Sequence, residues 1–420
     1  MDQKILLHKI NHNKERMLTT LKWIIFSFIV GIILGIIGAI FYHGIREVTA
    51  YRLNHDWVLF LLPFGAILIR LMYHLAHYDN DGGTNLVLSA IHSDDNIPKR
   101  MSGLIFVATI FSHFVGASVG REGAALQLGG SIGNSVGKLF RFNDTDKKTM
   151  IMVGMSAVFS ALFGTPMAAA IFSMEVVSVG IMHYAALVPC VIASFVARGV
   201  AAYLGAPNAS YVVEEIPAFN LASGLQTAFL AMLCGLVSIL FCVSLHQADK
   251  WSKKLLKNPY LRAFILGTIV FLLTLLVGNQ SYNGAGVDYI EDCMDGNTGT
   301  FAFLIKIIFT ALCISAGYKG GEIVPSFFIG ASFGCLYGSI MGFAPSLCAA
   351  IGMGAVFCGV TNSPITAFII CLELFGMEGA PYYLLAIALS YMLSGYYGLY
   401  SSQKIVYSKY KSNYINTHTK

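Results

Sequence analysis

Apolar and polar stretches alternate along the chain on a length scale that predicts membrane-spanning helices. An apolar run of about 20 residues is long enough to cross the hydrocarbon core of a bilayer as an α-helix. Short polar or glycine-rich breaks separate such runs here. The predicted apolar runs are 19–44, 57–77, 101–119, 124–140, 150–180, 183–204, 221–246, 261–278, 301–317, 326–343, 347–375 and 380–397.

The composition supports this interpretation. Of 420 residues, 56% are hydrophobic and only 12% are charged, and the mean hydropathy is +0.67. A single water-soluble core does not need so much apolar sequence. We therefore expect an all-α polytopic membrane protein, and no stretch is long and polar enough to form the soluble domain of a sensor or scaffold.

Basic residues are concentrated at both ends of the chain and in one internal loop, 250–262. The positive-inside rule places such segments in the cytoplasm, so we expect a multi-pass protein of the inner or plasma membrane with both termini cytoplasmic. The net charge of +5 then reports orientation and not nucleic-acid binding. No cleavable signal peptide is expected, because the first apolar run is too long for one. The terminal basic residues are Lys4, His8, Lys9, Lys14, Arg16, Lys404, Lys409, Lys411 and Lys420.

Metal and disulfide chemistry have no support in the sequence. The nine cysteines form no CxxC pair, and free cysteine is usually a core residue. Cys293 differs from the others because it lies in a polar loop. The histidines show no metal-ligand spacing, and no cofactor is predicted.

Arg121 and Glu122 interrupt an otherwise apolar, glycine-rich stretch, 116–134. An ionisable side chain at membrane depth costs about 2.5 kcal/mol or more unless it faces water, an ion path or a partner. The structural alternative is a pair formed by the two residues at a helix end, with Arg121 capping carbonyls near the bend. The functional hypothesis, which we prefer, is that Glu122 is the moving gate of an anion pathway.

An internal repeat divides the chain. Residues 153–176 match 351–374 at a constant separation of 198 residues, which aligns Glu175 with Glu373. Residues 120–130 match 320–330 at a separation of 200, which aligns Glu122 with Glu322. Paired repeats with glycine- or proline-interrupted apolar segments are typical of transporters whose site lies between the repeats.

The repeat defines the predicted organisation, and we expect its two halves to have an inverted topology. We interpret Glu175 and Glu373 as helix-end or interface anchors, since both repeats carry one. The expected units are a cytoplasmic segment 1–18, a first half 19–205, an inter-repeat loop 206–220, a second half 221–403 and a cytoplasmic tail 404–420.

Three motifs resemble those of the CLC family of anion channels and proton-coupled anion antiporters. They are GREG at 120–123, NSPITAFIICLEL at 362–374 and LYSS at 399–402, and the resemblance covers about 19–403. It implies a CLC fold of inverted repeats with discontinuous helices, and a homodimer with one pore per subunit. It also implies that Glu122 competes with anions for a central site that Tyr400 helps to form. The motif positions that would line this site are Gly82, Gly83, Thr84, Asn85, Gly120, Arg121, Gly123, Gly320, Gly321, Ile323 and Val324.

Departures from the chloride-type motifs indicate the branch that exports fluoride in exchange for protons. Glu322 lies in GGEIVP, where chloride members carry GxFxP, and Gly82–Asn85 replaces a GSGIP-like loop. Val176 stands where chloride antiporters keep a second proton glutamate. Val324 differs from the threonine that the fluoride branch often has, which removes one hydroxyl partner for the gate.

The sequence therefore predicts a secondary anion transporter, most like a fluoride/proton antiporter with Glu122 as its gate. Its partners would be fluoride or chloride, protons, lipid and a second copy of the chain. The alternative is a chloride channel or chloride/proton antiporter on the same fold. An intramembrane hydrolase or transferase has no support, because no catalytic Ser/His/Asp or His/Glu cluster lies on facing spans. We expect no enzyme.

Overall fold

The computed structural model describes residues 3–79, 81–93, 95–140 and 142–420. The side chains of residues 3–11 and 144 lie outside the described part. The predictions made for the first two residues and for the side chains of Lys4, His8 and Lys9 therefore fall outside it.

The described residues form sixteen α-helices, numbered here in chain order, with short 3-10 turns between some of them. The helices are α1 Gln3–Leu53, α2 Leu62–Leu75, α3 Gly83–His92, α4 Arg100–Val115, α5 Glu122–Leu139, α6 Lys147–Phe163, α7 Pro166–Glu175, α8 Leu187–Tyr203, α9 Leu221–Leu255, α10 Pro259–Val277, α11 Val287–Met294, α12 Ala302–Ala316, α13 Ile323–Met341, α14 Pro345–Thr361, α15 Pro364–Phe375 and α16 Ala380–Leu393.

The apolar helices are of two kinds, long ones that could span a bilayer and shorter ones. Within the described residues, six helical segments are long and apolar enough to span a bilayer. They are His12–Leu53, Asp56–Leu75, Tyr184–Tyr203, Leu221–Leu255, Pro259–Val277 and Ile323–Met341. The centre of the molecule is built instead from short helices such as α7 and α15, which is the discontinuous arrangement that the sequence predicted.

Two apolar runs that looked continuous in the sequence are each broken into two helices. The run 150–180 breaks at Gly164, which adopts the left-handed conformation with φ 79°, just before Pro166 starts α7. The run 347–375 breaks at Asn362, with φ 57°, just before Pro364 starts α15. Proline lacks an N–H and fits the first turn of a helix, so each proline begins a new element and does not extend the old one.

Equivalent glycine contacts hold each repeat together. A Cβ on Gly129 of α5 would lie 2.2 Å from the carbonyl oxygen of Gly154 on α6. In the second half, a Cβ on Gly330 of α13 would lie 2.3 Å from the carbonyl oxygen of Gly352 on α14. Both helix pairs pack backbone against backbone, an approach that only residues without a Cβ permit.

This packing corrects the alignment of the two motifs by one residue. The structural counterpart of Gly330 is Gly129, whereas the sequence match paired it with Gly130. Helix α5 starts at Glu122 and α13 at Ile323, which gives the same separation of 201 residues. Glu322 therefore corresponds to Arg121 as the residue that precedes its helix, and it is not the positional counterpart of Glu122.

Among the residues that the structure describes, three short strands are the exception to the predicted all-α structure. They are β1 Ser178–Val179, β2 Lys404–Tyr407 and β3 Tyr414–His418. Strand β2 pairs in parallel with β1 and antiparallel with β3. The C-terminal segment is thus a hairpin that pairs with the residues just after α7. Because β1 and β2 are far apart in the chain, no local sequence pattern predicts their pairing.

Candidate functional site

The two glycine motifs meet at the centre of the molecule. Gly120 N donates to Gly321 O at 2.6 Å, and Gly321 N donates to Gly120 O at 2.8 Å, so the two segments form an isolated antiparallel bridge. A Cβ on Gly321 would lie only 2.3 Å from Gly123 N. The N-terminal ends of α5 and α13 are therefore brought against each other, with their free N–H groups and positive dipole ends in one place.

A third helix N-terminus joins them. The hydroxyl of Thr84, in the first turn of α3, donates to Gly123 O at 3.2 Å. It also accepts a hydrogen bond of 3.2 Å from Gln127 Nε2 on α5. Thr84 therefore ties α3 to α5 and does not cap its own helix. Three converging N-termini can hold an anion at a depth where lipid alone would exclude it.

Glu122 is fully buried at the first position of α5. Its Oε2 accepts from the backbone N–H of Arg121 at 3.1 Å. The same oxygen lies 3.0 Å from the position that a Cβ on Gly120 would occupy. The carboxylate thus folds back over the helix N-terminus, next to the bridge between the two motifs, where an anion would also be stabilised.

Arg121 connects this carboxylate to neighbouring elements. Its Nε lies 3.4 Å from Glu122 Oε1, and its Nη2 donates to Leu162 O at 3.3 Å near the end of α6. Its guanidinium also stacks near the ring of Tyr42, 5.0 Å from the centroid. Arg121 thus pairs with Glu122 and also donates to a backbone carbonyl of α6.

Tyr400 brings a buried hydroxyl to the site. Its side chain is 2% exposed, and its hydroxyl has no hydrogen-bond partner among the described residues. Leu399 N donates to Val360 O at 2.9 Å, so the LYSS segment lies beside the end of α14. A buried phenol usually finds a partner, so this O–H is a donor available to a bound ion.

Two contacts that the sequence did not predict hold Tyr400 in place. Asn85 Oδ1, in the first turn of α3, accepts from Ser402 N at 3.0 Å and from Ser402 Oγ at 2.9 Å. Gln403 Nε2 donates at 2.8 Å to both Val176 O and Thr361 O. These bonds join segments from both halves, and neither residue type nor spacing signalled them.

The second motif contains a further ion pair that sequence reasoning missed. Lys319 Nζ lies 2.6 Å from Asp81 Oδ2, and Asp81 Oδ1 accepts from Gly83 N at 3.0 Å. Lys319 lies three residues before Glu322. Glu322 is half-buried and directly precedes α13. The pair therefore links the α3 and α13 N-termini. The only sequence feature that the two residues share is that each directly precedes a pair of glycines.

The apolar motif residues are buried next to helix ends. Ile323 and Val324 are buried in the first turn of α13, and Val176 is buried just after α7. Cys293, assigned to a polar loop, is instead buried in α11, and all nine cysteines are buried and unpaired. The structure thus gathers the first-half motif residues, the second-half motif and the Tyr400 segment around one point.

The chain matches the family model described as voltage gated chloride channel over residues 64–395. It is 34% identical over 396 residues to a chloride/fluoride channel protein of Pseudomonas syringae pv. tomato, covering 93% of this chain and 88% of that protein. It is 26% identical over 389 residues to an H(+)/Cl(-) exchange transporter of Vibrio campbellii, covering 85% of this chain and 82% of that one.

Two solved structures are also similar. A CLC-type fluoride/proton antiporter superposes with a TM-score of 0.88 at 29% identity, over 92% of this chain and 98% of the other. A slow cyanobacterial Cl-/H+ antiporter superposes with a TM-score of 0.78 over 89% of this chain and 94% of the other. At 20% identity, the second likeness concerns the fold alone.

Proposed function

Because the chain belongs to the voltage-gated chloride channel (CLC) family, we propose that this anion transporter exports fluoride in exchange for protons. The observation that carries the proposal is the position of Glu122. Its buried carboxylate lies over the N-terminus of α5, where the motifs of the two halves meet. The pathway is closed there by a group with the charge of the transported ion.

The site suits a small, strongly hydrated anion. Fluoride gives up its water only where donors of comparable strength replace it, and a low dielectric strengthens each of those donors. The N–H groups at the starts of α3, α5 and α13 and the unpartnered hydroxyl of Tyr400 supply such donors. Gly82, Gly83, Gly120, Gly123, Gly320 and Gly321 let the backbone approach the ion, and Thr84, Asn85, Arg121, Ile323 and Val324 surround it.

Glu122 would alternate between two states. Ionised, it occupies the anion position as a tethered competitor. Protonated, it leaves the position and carries its proton. The buried Val176 offers no carboxylate on the far side, so Glu122 would carry the proton across without the second glutamate of the chloride exchangers. One fluoride would then move for each proton, and an inward proton gradient would drive fluoride out.

Glu322 bears on the identity of the transported ion. Glu322 lies at the start of α13, beside the bridge at Gly321, and it is the feature that separates this motif from the chloride type. The similar structure described as a fluoride/proton antiporter favours the same branch. The similar H(+)/Cl(-) exchange transporter keeps chloride as the second candidate. No enzymatic step and no cofactor are part of the proposal.

We also propose how the molecule sits in the membrane. The halves 19–205 and 221–403 are joined by 206–220, and both 1–18 and 404–420 face the cytoplasm of a cell with this protein in its inner or plasma membrane. Apolar side chains of α7, α15 and α16 remain exposed, among them Met167 at 49%, Ile365 at 50% and Leu384 at 54%. They are available to lipid and to a second subunit of a homodimer.

The test is an efflux assay on purified protein in proteoliposomes, with fluoride and chloride measured side by side and proton movement recorded. We expect fluoride efflux far above chloride efflux, together with proton uptake that follows it. Glu122→Gln should abolish the proton movement. Equal transport of both ions would favour the chloride alternative. Anion flux without protons in the native protein, or retained coupling in Glu122→Gln, would refute the antiport mechanism.

A further inference from the structure

A cavity of about 550 Å³ opens beside the gate, at the end of the molecule where α1 ends. Its walls come from the last turns of α1, the end of α4 and the segment 280–292. Arg121 lines it as well, so the cavity reaches the side chain that contacts Glu122. In the orientation proposed above, it is the outer vestibule.

The floor of this cavity contains an arginine that forms no ion pair with any described residue. Arg52 is 2% exposed, and its Nη1 donates to the neutral amide oxygen of Gln280 at 2.5 Å. Its Nε has no partner, and no described carboxylate lies within ion-pair distance of it. A guanidinium stays charged under all relevant conditions, so this buried positive charge is compensated only at longer range, by Asp288.

A buried histidine stands next to it. His113 on α4 is 1% exposed, and its Nε2 has no partner among the described residues. Gly284 shows how close the two side chains are. A Cβ on this glycine would lie 3.2 Å from Arg52 Nη2 and 3.9 Å from His113 Nδ1. Two buried basic side chains, each with one nitrogen that has no described partner, therefore approach the same backbone segment.

A buried lysine lies behind that segment. Lys306 on α12 is fully buried and donates to Gly284 O at 2.8 Å and to Tyr282 O at 3.1 Å. These carbonyls satisfy its N–H groups but carry no net charge. Arg52, His113 and Lys306 thus lie around Gly284 on three helices, and the described hydrogen-bond acceptors of Arg52 and Lys306 are all neutral.

Three acidic side chains line the same vestibule from α11, namely Asp288, Glu291 and Asp292. Asp288 interacts electrostatically with Arg52 from beyond ion-pair distance. Burial raises the pKa of Glu291, and the neighbouring carboxylates add to the effect. None of the three forms an ion pair within 4 Å. Leaving buried charges unpaired is costly, so an anion that enters the floor would relieve that cost.

We propose that Arg52 and His113 form a second anion site, outside the gate, for a small monovalent anion such as fluoride or chloride. Arg52 Nε–H and an N–H of His113 donate to the ion, and the charge of Lys306 supports it from behind Gly284. The ion is held near Arg121, one side chain away from Glu122. The proposal rests on the proposed function only for the choice of ion.

Binding is the direct test. Sodium fluoride is titrated into the purified full-length protein in detergent by calorimetry, in the native chain and in Arg52→Gln. Losing a charged hydrogen bond weakens binding by about tenfold or more, so Arg52→Gln should lose one fluoride site and keep the other. Arg46→Gln is the matched control, because Arg46 lines the same cavity but is exposed. Unchanged binding in Arg52→Gln would overturn the proposal.

A positional measurement separates this site from the central one. Crystals soaked in sodium bromide should show an anomalous peak within about 3.5 Å of Arg52 Nε. The peak should persist in Tyr400→Phe and Arg46→Gln and disappear in Arg52→Gln. If Arg52→Gln does not elute as a single species in size-exclusion chromatography, Arg52→Lys is used in its place. The anomalous peak should then be weaker than in the native protein. No peak at Arg52 in the native protein would refute this site and leave the antiport proposal untouched, since that depends on flux.

Discussion

Glu175 and Glu373 each hold the N-terminus of the helix that carries the other. The carboxylate of Glu373, near the end of α15, accepts from Met167 N at 3.0 Å and Ala168 N at 2.9 Å at the start of α7. The carboxylate of Glu175, at the end of α7, accepts from Ile365 N at 3.0 Å and Thr366 N at 2.8 Å at the start of α15. The same contact, a glutamate carboxylate bound to the start of a helix of the other half, thus occurs twice and joins the two halves.

These reciprocal caps predict a structural role for both glutamates. In Glu175→Gln, an NH2 group replaces one acceptor oxygen and faces a backbone donor. We expect a loss of about 2 kcal/mol in the free energy of unfolding, the usual value for a hydrogen bond to a charged group. Glu373→Gln should lose less, because Glu175 also accepts from Thr366 Oγ1 at 2.6 Å and is more buried. Thermal unfolding measures both. Lost proton coupling with unchanged stability would contradict the structural role.

The bridge between the motifs leaves no room for a side chain at Gly321. The added methyl group of Gly321→Ala would lie 2.3 Å from Gly123 N. We expect the motifs to separate, with a cost of about 3 kcal/mol in unfolding free energy and loss of fluoride binding. Gly199→Ala is the control, since a Cβ there meets nothing within 4 Å in α8. That variant should be as stable as the native protein or slightly more so. Equal effects of the two substitutions would argue against close approach.

The free hydroxyl of Tyr400 predicts a specific loss on removing one oxygen. In Tyr400→Phe the ring still fills its place, but the O–H donor is gone. A hydrogen bond to an ion is worth about 1.5–3 kcal/mol, so fluoride should bind roughly 10- to 100-fold more weakly in calorimetry. Tyr383→Phe is the control, because its hydroxyl is equally buried and unpartnered but belongs to α16. Equal affinities in native protein and Tyr400→Phe would remove Tyr400 from the site.

The sequence located the central residues because each sits in a short motif whose chemistry is unusual for a membrane. Glu122 is an acid among glycines, and Tyr400 lies in a recognisable segment. Gln403 and Lys319 were missed because the hydrogen-bond partners of their side chains are 41 to 238 residues away in the chain, and no local pattern encodes such contacts. The one-residue shift between Glu122 and Glu322 has a similar cause. The sequence match aligned the two acids because the residue types agree. The packing of the glycines between helices shows that the structural correspondence is shifted by one residue.

Gln403 is predicted to act on the site through Tyr400, three residues before it. Gln403→Leu keeps the volume but leaves the carbonyls of Val176 and Thr361 and the amide of Asn362 without this partner. Buried polar groups left unsatisfied cost about 1–3 kcal/mol each. We expect lower thermal stability and weaker fluoride binding together. Ser401→Ala, at an exposed neighbouring position, should change neither. A Gln403→Leu protein with native affinity would show that Tyr400 does not depend on this anchor.

The C-terminal hairpin should become more stable as pH rises, because of Lys409. Its ammonium donates to Asn362 Oδ1, to Tyr391 O at 2.9 Å and to Ser394 Oγ at 3.1 Å. Burial lowers the pKa of Lys409 to about 8 from its ordinary value of 10.5. Between these values the unfolded chain binds more protons than the folded one, so the stability of the folded state increases with pH over this window and is constant below it.

In Lys409→Met this dependence disappears. The melting temperature of the native protein minus that of Lys409→Met should therefore rise between pH 8 and 10, whereas the exposed Lys411→Met should give a flat difference. A flat difference for Lys409→Met as well would mean that its amine is not buried in solution.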